Sequence, residues 1–414
     1  MTTQASANPA LPLQPRRVLI PLGVGTALSL LGDATLYVVL PNPDAAAQMG
    51  VTLGMVGILL GANRLVRIPF NPPVGLLYDR LPRRGLLVAA LFIGACSTML
   101  YAIGSGLWPL LAGRLLWGMA WSGIWIGGNT VVLDIADDHN RGRLSGRYQM
   151  WFLMGVAGAS LLGGVFTDWL GLRGGLWLSA GLTTLGAITW LIFLPETRPV
   201  RAEPGAPQHV VTKGPFPWRI VLQLAVPFFA LRFVLGGVFY ATANPWLTTF
   251  FGAGIDLPGL FLPIATLTGG FAAARTVASV LSAPLGGRLS DRLGRRWVVI
   301  AVSAALGTAG GWLMGGVGLA PALLGALGVA IAGGVIQALA PAIAGDHVSP
   351  AQHSRALSGV FTVGDFASAV APPLAFWLLP LTSIGWLYRL CAGIFGVVTV
   401  FALGQALSEH RHQH

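Results

Sequence analysis

Twelve times along the chain an apolar run of about 20 residues recurs, the length a helix needs to cross a hydrocarbon core of about 30 Å. The runs cover 18–41, 51–74, 85–104, 107–133, 145–168, 174–194, 218–243, 257–284, 297–316, 321–344, 355–380 and 384–407, numbered here as spans 1 to 12. They predict an all-α membrane protein of twelve transmembrane helices. The composition agrees: only 9% of the 414 residues are charged and the mean hydropathy is +0.72, whereas soluble domains carry about a quarter charged residues. The segment "MTTQASANPALPLQPRR" ahead of span 1 is polar, and no small-residue cleavage site follows a short apolar stretch, so span 1 is expected to stay. Cys96 and Cys391 fall inside spans and are expected to be small hydrophobes of the core, not a disulfide or metal pair.

A net charge of +11 invites a nucleic-acid reading, but its placement opposes one. With a cytoplasmic N-terminus, 18 of the 25 Lys and Arg fall on the inner side, one (Arg173) outside and six within spans. That is the positive-inside pattern of a bilayer protein with both termini cytoplasmic, and no nucleic-acid partner is expected. The longest loop, "PETRPVRAEPGAPQHVVTKGPFP" at 195–217, is rich in Pro and charge and divides six spans from six. The predicted organisation is a cytoplasmic tail (1–17), a six-helix bundle (18–195), a linker (196–217), a second bundle (218–407) and a short tail (408–414).

The two halves are copies of one plan. An offset of 212 residues superposes Gly75 on Gly287, Asp79 on Asp291, Arg80 on Arg292, Arg83 on Arg295 and Arg84 on Arg296. At the same offset Pro72 falls on Pro284, Asp134 on Asp346 and Arg143 on Arg355. Parallel six-helix repeats are a transporter architecture. The second copy, Gly287-Arg288-Leu289-Ser290-Asp291-Arg292-Leu293-Gly294-Arg295-Arg296, resembles the G-x-L-x-D-R-x-G-R-R loop of the major facilitator superfamily, with a charged residue ahead of its leucine. The first copy carries Leu77, then Tyr78, and puts Pro82 where glycine is usual, which predicts a stiffer loop. Arg114 with Gly118 on span 4, and Pro195-Glu196-Thr197 closing span 6, are also similar to that family. The likeness covers essentially the whole chain and implies two pseudo-symmetric bundles rocking about a central site, with no cofactor.

In physical terms, Gly75 and Gly287 would admit a neighbouring helix, and Asp79 and Asp291 stand where a carboxylate can meet the positive N-terminal end of a helix. The resemblance implies a cytoplasmic latch, with Asp79 facing the start of span 11 near Arg355 and Asp291 the start of span 5 near Arg143. A plain role as topology anchors is the alternative for the arginines.

Ionised side chains within a bilayer cost at least about 2.5–3.5 kcal/mol each on insertion scales, so they face cavities and serve function. The spans hold Asp33, Arg64, Arg67, Arg114, Arg232, Arg275, Asp365 and Arg389. Depths counted at 1.5 Å per residue pair Asp33 with Arg114 and Asp365 with Arg275. Asn63, Arg67 and Asn71, four residues apart, line one face of span 2 with Arg64 beside it, a face expected to border water. Arg389, near a span end, is expected to snorkel. A carboxylate beside an arginine that can release it is what proton coupling needs, because solvation and partner decide whether the acid holds a proton. Asp33 with Arg114 resembles the coupling pair of the drug/proton antiporters; a mere helix lock is the alternative. The exporters' span 5 proline is missing here, although the small residues Gly155, Ala159, Ser160, Gly163 and Gly164 remain for close packing. Six in-span arginines against two aspartates favour an anionic ligand unless carbonyls and waters absorb the charge. Trp117, Trp121 and Trp125 form a stripe expected to face lipid or pack between helices.

Other classes fit poorly. Gly32-Asp33 and Gly364-Asp365 resemble intramembrane aspartyl proteases only loosely, since Leu30 and Thr362 stand where glycine is expected. All seven His lie in loops or tails, the only Lys is Lys213, and no H-E-x-x-H, G-x-S-x-G or G-x-x-x-x-G-K-[ST] sequence occurs, so no metal, no serine chemistry and no ATP-driven pump is expected. The sequence therefore predicts a non-enzymatic, gradient-driven transporter of the cell membrane, monomeric, moving protons and a small molecule. Efflux of a small organic compound stands first; an organic anion or an anionic lipid is the alternative cargo.

Overall fold

A computed structural model describes residues 14–136, 140–198, 218–348 and 353–412. Span 1 is Pro15–Val39, span 2 Leu53–Arg80, span 3 Arg83–Ile103 and span 4 Leu107–Asp134. Spans 5 and 6 lie in one helical stretch, Arg141–Phe193, broken at Gly171, where φ is 73° and ψ 165°. Glycine adopts a positive φ at no steric cost, and the chain reverses there. Span 7 runs as Trp218–Phe233, a π-helical turn at Val234–Phe239 and then Tyr240–Phe251. Spans 8 to 12 are Ile264–Leu293, Arg296–Met314, Leu319–His347, His353–Leu378 and Ile384–His412.

Two small elements are not expected from the sequence, and the second corrects the start of span 8 from 257 to Ile264. A short helix, Pro43–Gln48, follows span 1 and is capped by the Asn42 side chain. A hairpin pairs Gly254–Leu257 with Leu260–Pro263 across Pro258-Gly259. Proline followed by glycine at φ 79° suits the two central positions of a type II turn.

The doubled phrase proves to be helical for most of its length. Span 2 continues through Gly75 and Asp79 to Arg80, and span 8 through Gly287 and Asp291 to Leu293. The copies then diverge for a steric reason. Gly294 ends span 8 in the left-handed region at φ 62°, whereas Pro82 cannot reach that region and instead stands at the N-cap of span 3, after an extended Leu81.

Each half has its own apolar core. One is built around Leu22, Leu91, Ile124 and Trp190, the other around Leu224, Ile300, Val329 and Phe395. A third cluster draws on both halves: Leu36, Leu60, Tyr101 and Leu176 meet Ala241, Ala265 and Phe376. All of these residues lie toward the end opposite the doubled phrase, so the halves are sealed together there. Around that end stand exposed Trp108, Trp169, Trp312, Trp377 and Trp386, the amphipathic belt of a membrane interface. Cys391 is buried and Cys96 lies exposed on the bundle exterior, which corrects its assignment to the core; neither is bonded.

Candidate functional site

At mid-chain depth the helices carry their charges inward. Span 4 lies tight on span 2 because Gly118 has no side chain: a Cβ there would stand 3.2 Å from the Asn63 carbonyl carbon. This brings the fully buried Arg114 between spans 1 and 2, where its Nη1 donates to Asp33 Oδ1 of span 1 and its Nε to the Leu59 carbonyl of span 2 at 2.9 Å. Asn63 Nδ2 donates to the same Asp33 oxygen at 3.4 Å. Arg114 Nη2 and Asn63 Oδ1 remain buried without protein partners, a spare donor and a spare acceptor beside the ion pair.

Next to this pair the halves touch through two tyrosines. Tyr37 of span 1 and Tyr240 of span 7 stack with centroids 4.4 Å apart. Guanidiniums flank the stack, with Arg114 5.3 Å and Arg64 5.9 Å from the Tyr37 centroid and Arg275 5.4 Å from that of Tyr240. Arg64 Nε also donates to the Tyr37 hydroxyl at 3.4 Å, and Arg67 Nε to the Asn63 carbonyl at 3.2 Å. Arg64, Arg67 and Asn71 are half-buried while Asn63 is fully buried, so the polar face of span 2 borders open space only from Arg64 toward the phrase end.

The second expected pair is corrected. Asp365 accepts from Arg232 of span 7, Nη2 to Oδ1 at 3.4 Å, not from Arg275. Helix rise gave Arg275 a plausible depth but not its direction; its Nη1 donates to the Leu235 carbonyl at 3.0 Å, inside the π-helical turn that no sequence signal announced. The tryptophan stripe is packing: Trp117 and Trp121 are buried, and Trp121 and Trp125 lie against Phe152. Arg389 stacks between Trp312 and Trp386, at 5.4 and 5.7 Å.

On the sealed side the small residues of span 5 do the packing. A Cβ at Gly155 would lie 2.8 Å from Ala27 Cα, one at Gly163 2.6 Å from Thr35 Oγ1, and one at Gly164 3.0 Å from Thr266 Cα across the seam. Symmetrically, a Cβ at Gly57 of span 2 would lie 2.9 Å from Pro373 Cα of span 11.

At the phrase end the halves stand apart. Nothing lies within 4 Å of a Cβ built at Gly75 or Gly287, so the close approach expected of these two glycines is not made in this conformation. Gly286, one residue earlier, faces Val335 instead. Asp291 meets Arg296 of its own loop at 3.7 Å, and among the described residues Arg143 forms no ion pair, so the expected Asp291–Arg143 contact is absent. The side chain of Arg355, the expected neighbour of Asp79, lies outside the described residues. Arg83, Arg84 and Arg296 bond within their own halves. Arg83 pairs with Asp134 at 3.2 Å and Arg296 with Asp346 at 2.5 Å, while Arg84 reaches the Leu191 carbonyl. Glu196 accepts from the backbone N–H groups of Arg83 and Arg84 at 2.9 and 3.1 Å, a carboxylate at the positive end of span 3. Arg198 holds the last carbonyls of span 2, those of Asp79 and Arg80.

Two helical bundles, sealed at one end, parted at the other and holding ion pairs at mid-depth, define a multi-span membrane transporter. The model of the Major Facilitator Superfamily matches residues 22–277 and 264–413, and the chain belongs to that family. It is 31% identical over 198 residues to the inner membrane transport protein YajR of Escherichia coli (strain K12), covering 47% of this chain and 42% of that one. It is 29% identical over 276 residues to a chloramphenicol resistance protein of Streptomyces lividans (64% of each), and 27% over 247 residues to the multidrug resistance protein MdtG of Enterobacter lignolyticus (strain SCF1; 59% and 57%). Each match spans less than two thirds of the relative. A bacterial homologue of the human lysosomal transporter Spinster, solved inward-facing and occupied, shares the fold with a TM-score of 0.73 at 15% identity, over 95% of this chain and 96% of that one. The human organic anion transporter MFSD10 (TETRAN) does so with a TM-score of 0.64 at 19% identity, over 94% and 99%.

Proposed function

We propose that the chain exports a small organic compound across the cell membrane by alternating access, coupled to protons entering through Asp33. The doubled phrase marks the cytoplasmic side, so the conformation described above is inward-facing, and both termini are cytoplasmic. Residues 18–195 and 218–407 form the rocking bundles and 196–217 the linker between them. The seam and the central ion pairs are supplied by a single chain, which fits a transporter that works as a monomer.

The observation that carries this reading is the Asp33–Arg114 pair, made between two spans of one half and bordered by an unsatisfied donor and acceptor. Protonating Asp33 removes the partner of a fully buried guanidinium, which must then find another in the cavity or in a rearranged helix. Proton occupancy is thereby tied to conformation. Relatives named for multidrug and chloramphenicol resistance support export as the direction. The test is Asp33→Asn in proteoliposomes loaded in turn with neutral and anionic candidate compounds. Proton-driven movement should disappear while substrate exchange across equal pH persists; loss of both, or of neither, contradicts the assignment.

A further inference from the structure

The proton pair leaves most of the central charge unexplained. Arg64, Arg67, Arg114 and Arg232 face only Asp33 and Asp365 as carboxylates, an excess of two positive charges, and Arg275 adds a third beside the tyrosine stack. The charges feel one another across the halves: Arg64 and Arg67 lie within electrostatic range of both Asp33 and Asp365, and Arg232 within range of Arg64.

How these arginines are held matters more than their number. Arg64 and Arg67 are three residues apart on one face of span 2. Each is anchored only through Nε, to the Tyr37 hydroxyl and the Asn63 carbonyl, and among the described residues neither meets a carboxylate. Among the described residues no acceptor meets their terminal nitrogen pairs, which keep the fork geometry that takes up a carboxylate or phosphate bidentately. Opposite them Arg232 spends one nitrogen on Asp365, at a long 3.4 Å, and Asp365 is itself 22% exposed. Cations held in low dielectric without partners are costly, and an anion entering between the halves relieves that cost.

We infer that the cavity is built for an organic anion, whose carboxylate, sulfonate or phosphate group is clamped by Arg64 and Arg67 of one half and Arg232 of the other. This rests on the central cavity being the transport site, and it deepens that reading by naming the class of cargo. A ligand bridging both halves gains its contacts only when they approach, which ties binding to the rocking motion. The same head-group chemistry occurs on a free metabolite-sized anion and on an anionic lipid, and the experiment separates the two.

Purified full-length protein in phosphatidylcholine nanodiscs is titrated with benzoate, 2-naphthoate and biphenyl-4-carboxylate and with the corresponding amides, reading intrinsic tryptophan fluorescence and thermal midpoint. A parallel arm replaces part of the lipid with phosphatidylglycerol. At least one carboxylate should bind better than its amide, and Arg67→Gln and Arg64→Gln should each weaken it about tenfold or more while leaving the amide unchanged. Arg67→Lys, which keeps the charge and loses the fork, should recover part of the loss and controls for misfolding. Stabilisation by phosphatidylglycerol alone that disappears in Arg67→Gln keeps the anion site and assigns it to a lipid head group. Equal binding of acids and amides, or carboxylate binding indifferent to both arginines, overturns the inference. Transport of the amides with Arg67→Gln fully active would overturn it while sparing the transport reading; tight carboxylate binding with no compound crossing a liposome would do the reverse.

Discussion

Asp168, at the sealed end of span 5, caps a helix that belongs to the other half: its Oδ2 accepts from the backbone N–H of Thr266 at 2.7 Å and from the Thr266 hydroxyl at 2.5 Å. Span 8 begins after Pro263 with no side-chain cap of its own, so Asp168 satisfies an orphan donor and places a negative charge at the positive helix end. A carboxylate of one half on a helix N-terminus of the other is the device expected of Asp79 and Asp291, found here on the opposite face. The symmetry partner lacks it, since span 2 is capped by its own Thr52. The sealed seam is therefore latched on one side only.

Asp168→Ala should destabilise the sealed seam by about 1 kcal/mol, the usual worth of a helix cap, and raise the outward-facing population several-fold. The check is the rate of maleimide labelling from outside of a cysteine placed at the buried Ala265, in a background lacking Cys96 and Cys391. Faster labelling is expected; an unchanged rate contradicts the latch.

Gly164→Val should act in the same direction and more strongly. Its side chain would collide with the Ala265 and Thr266 backbone across the seam, where no flexible side chain can give way. Labelling at Ala265 should rise while the thermal midpoint of the protein changes little, because span 5 keeps its packing within its own half.

Removing one member of the buried ion pair should cost more than removing both. Asp33→Asn or Asp33→Ala strands a fully buried guanidinium, and a break of this kind costs about 3–5 kcal/mol. The double variant Asp33→Asn/Arg114→Gln should be more stable than Asp33→Asn alone, with Arg114→Gln as the other single. Denaturation midpoints of the two singles and the double, read as a cycle, check the coupling.

Glu196→Ala removes a carboxylate from the start of span 3 and should lower stability by about 1 kcal/mol without altering which face is open, since Glu196, the first residue of the linker, caps a helix of the N-terminal half and not the seam. Thermal midpoint falls; labelling at Ala265 stays unchanged.

Features tied to composition and spacing were legible in the sequence. Hydropathy located the spans, the offset between Asp79 and Asp291 exposed the duplication, and counting helix rise brought Asp33 to Arg114. Features of direction were not. The depth of Arg275 matched that of Asp365, but a π-helical turn re-aimed the residues of span 7, leaving Arg232 on Asp365 and a backbone carbonyl for Arg275. The Tyr37–Tyr240 stack and the Asp168 cap join halves with no sequence proximity, and an isolated Asp at a span end looks like any solvated residue. The expected Asp291–Arg143 contact is not made here, where Asp291 meets Arg296 instead, and sequence alone does not say which of several conformations a structure captures.

The most direct measurement is made on purified protein in liposomes carrying an internal pH dye, with candidate compounds added under a fixed pH gradient. A compound-dependent proton flux, abolished by Asp33→Asn and collapsing when the gradient is removed, is the predicted result. Compounds that cross the membrane through the protein without moving protons under any gradient would contradict the account.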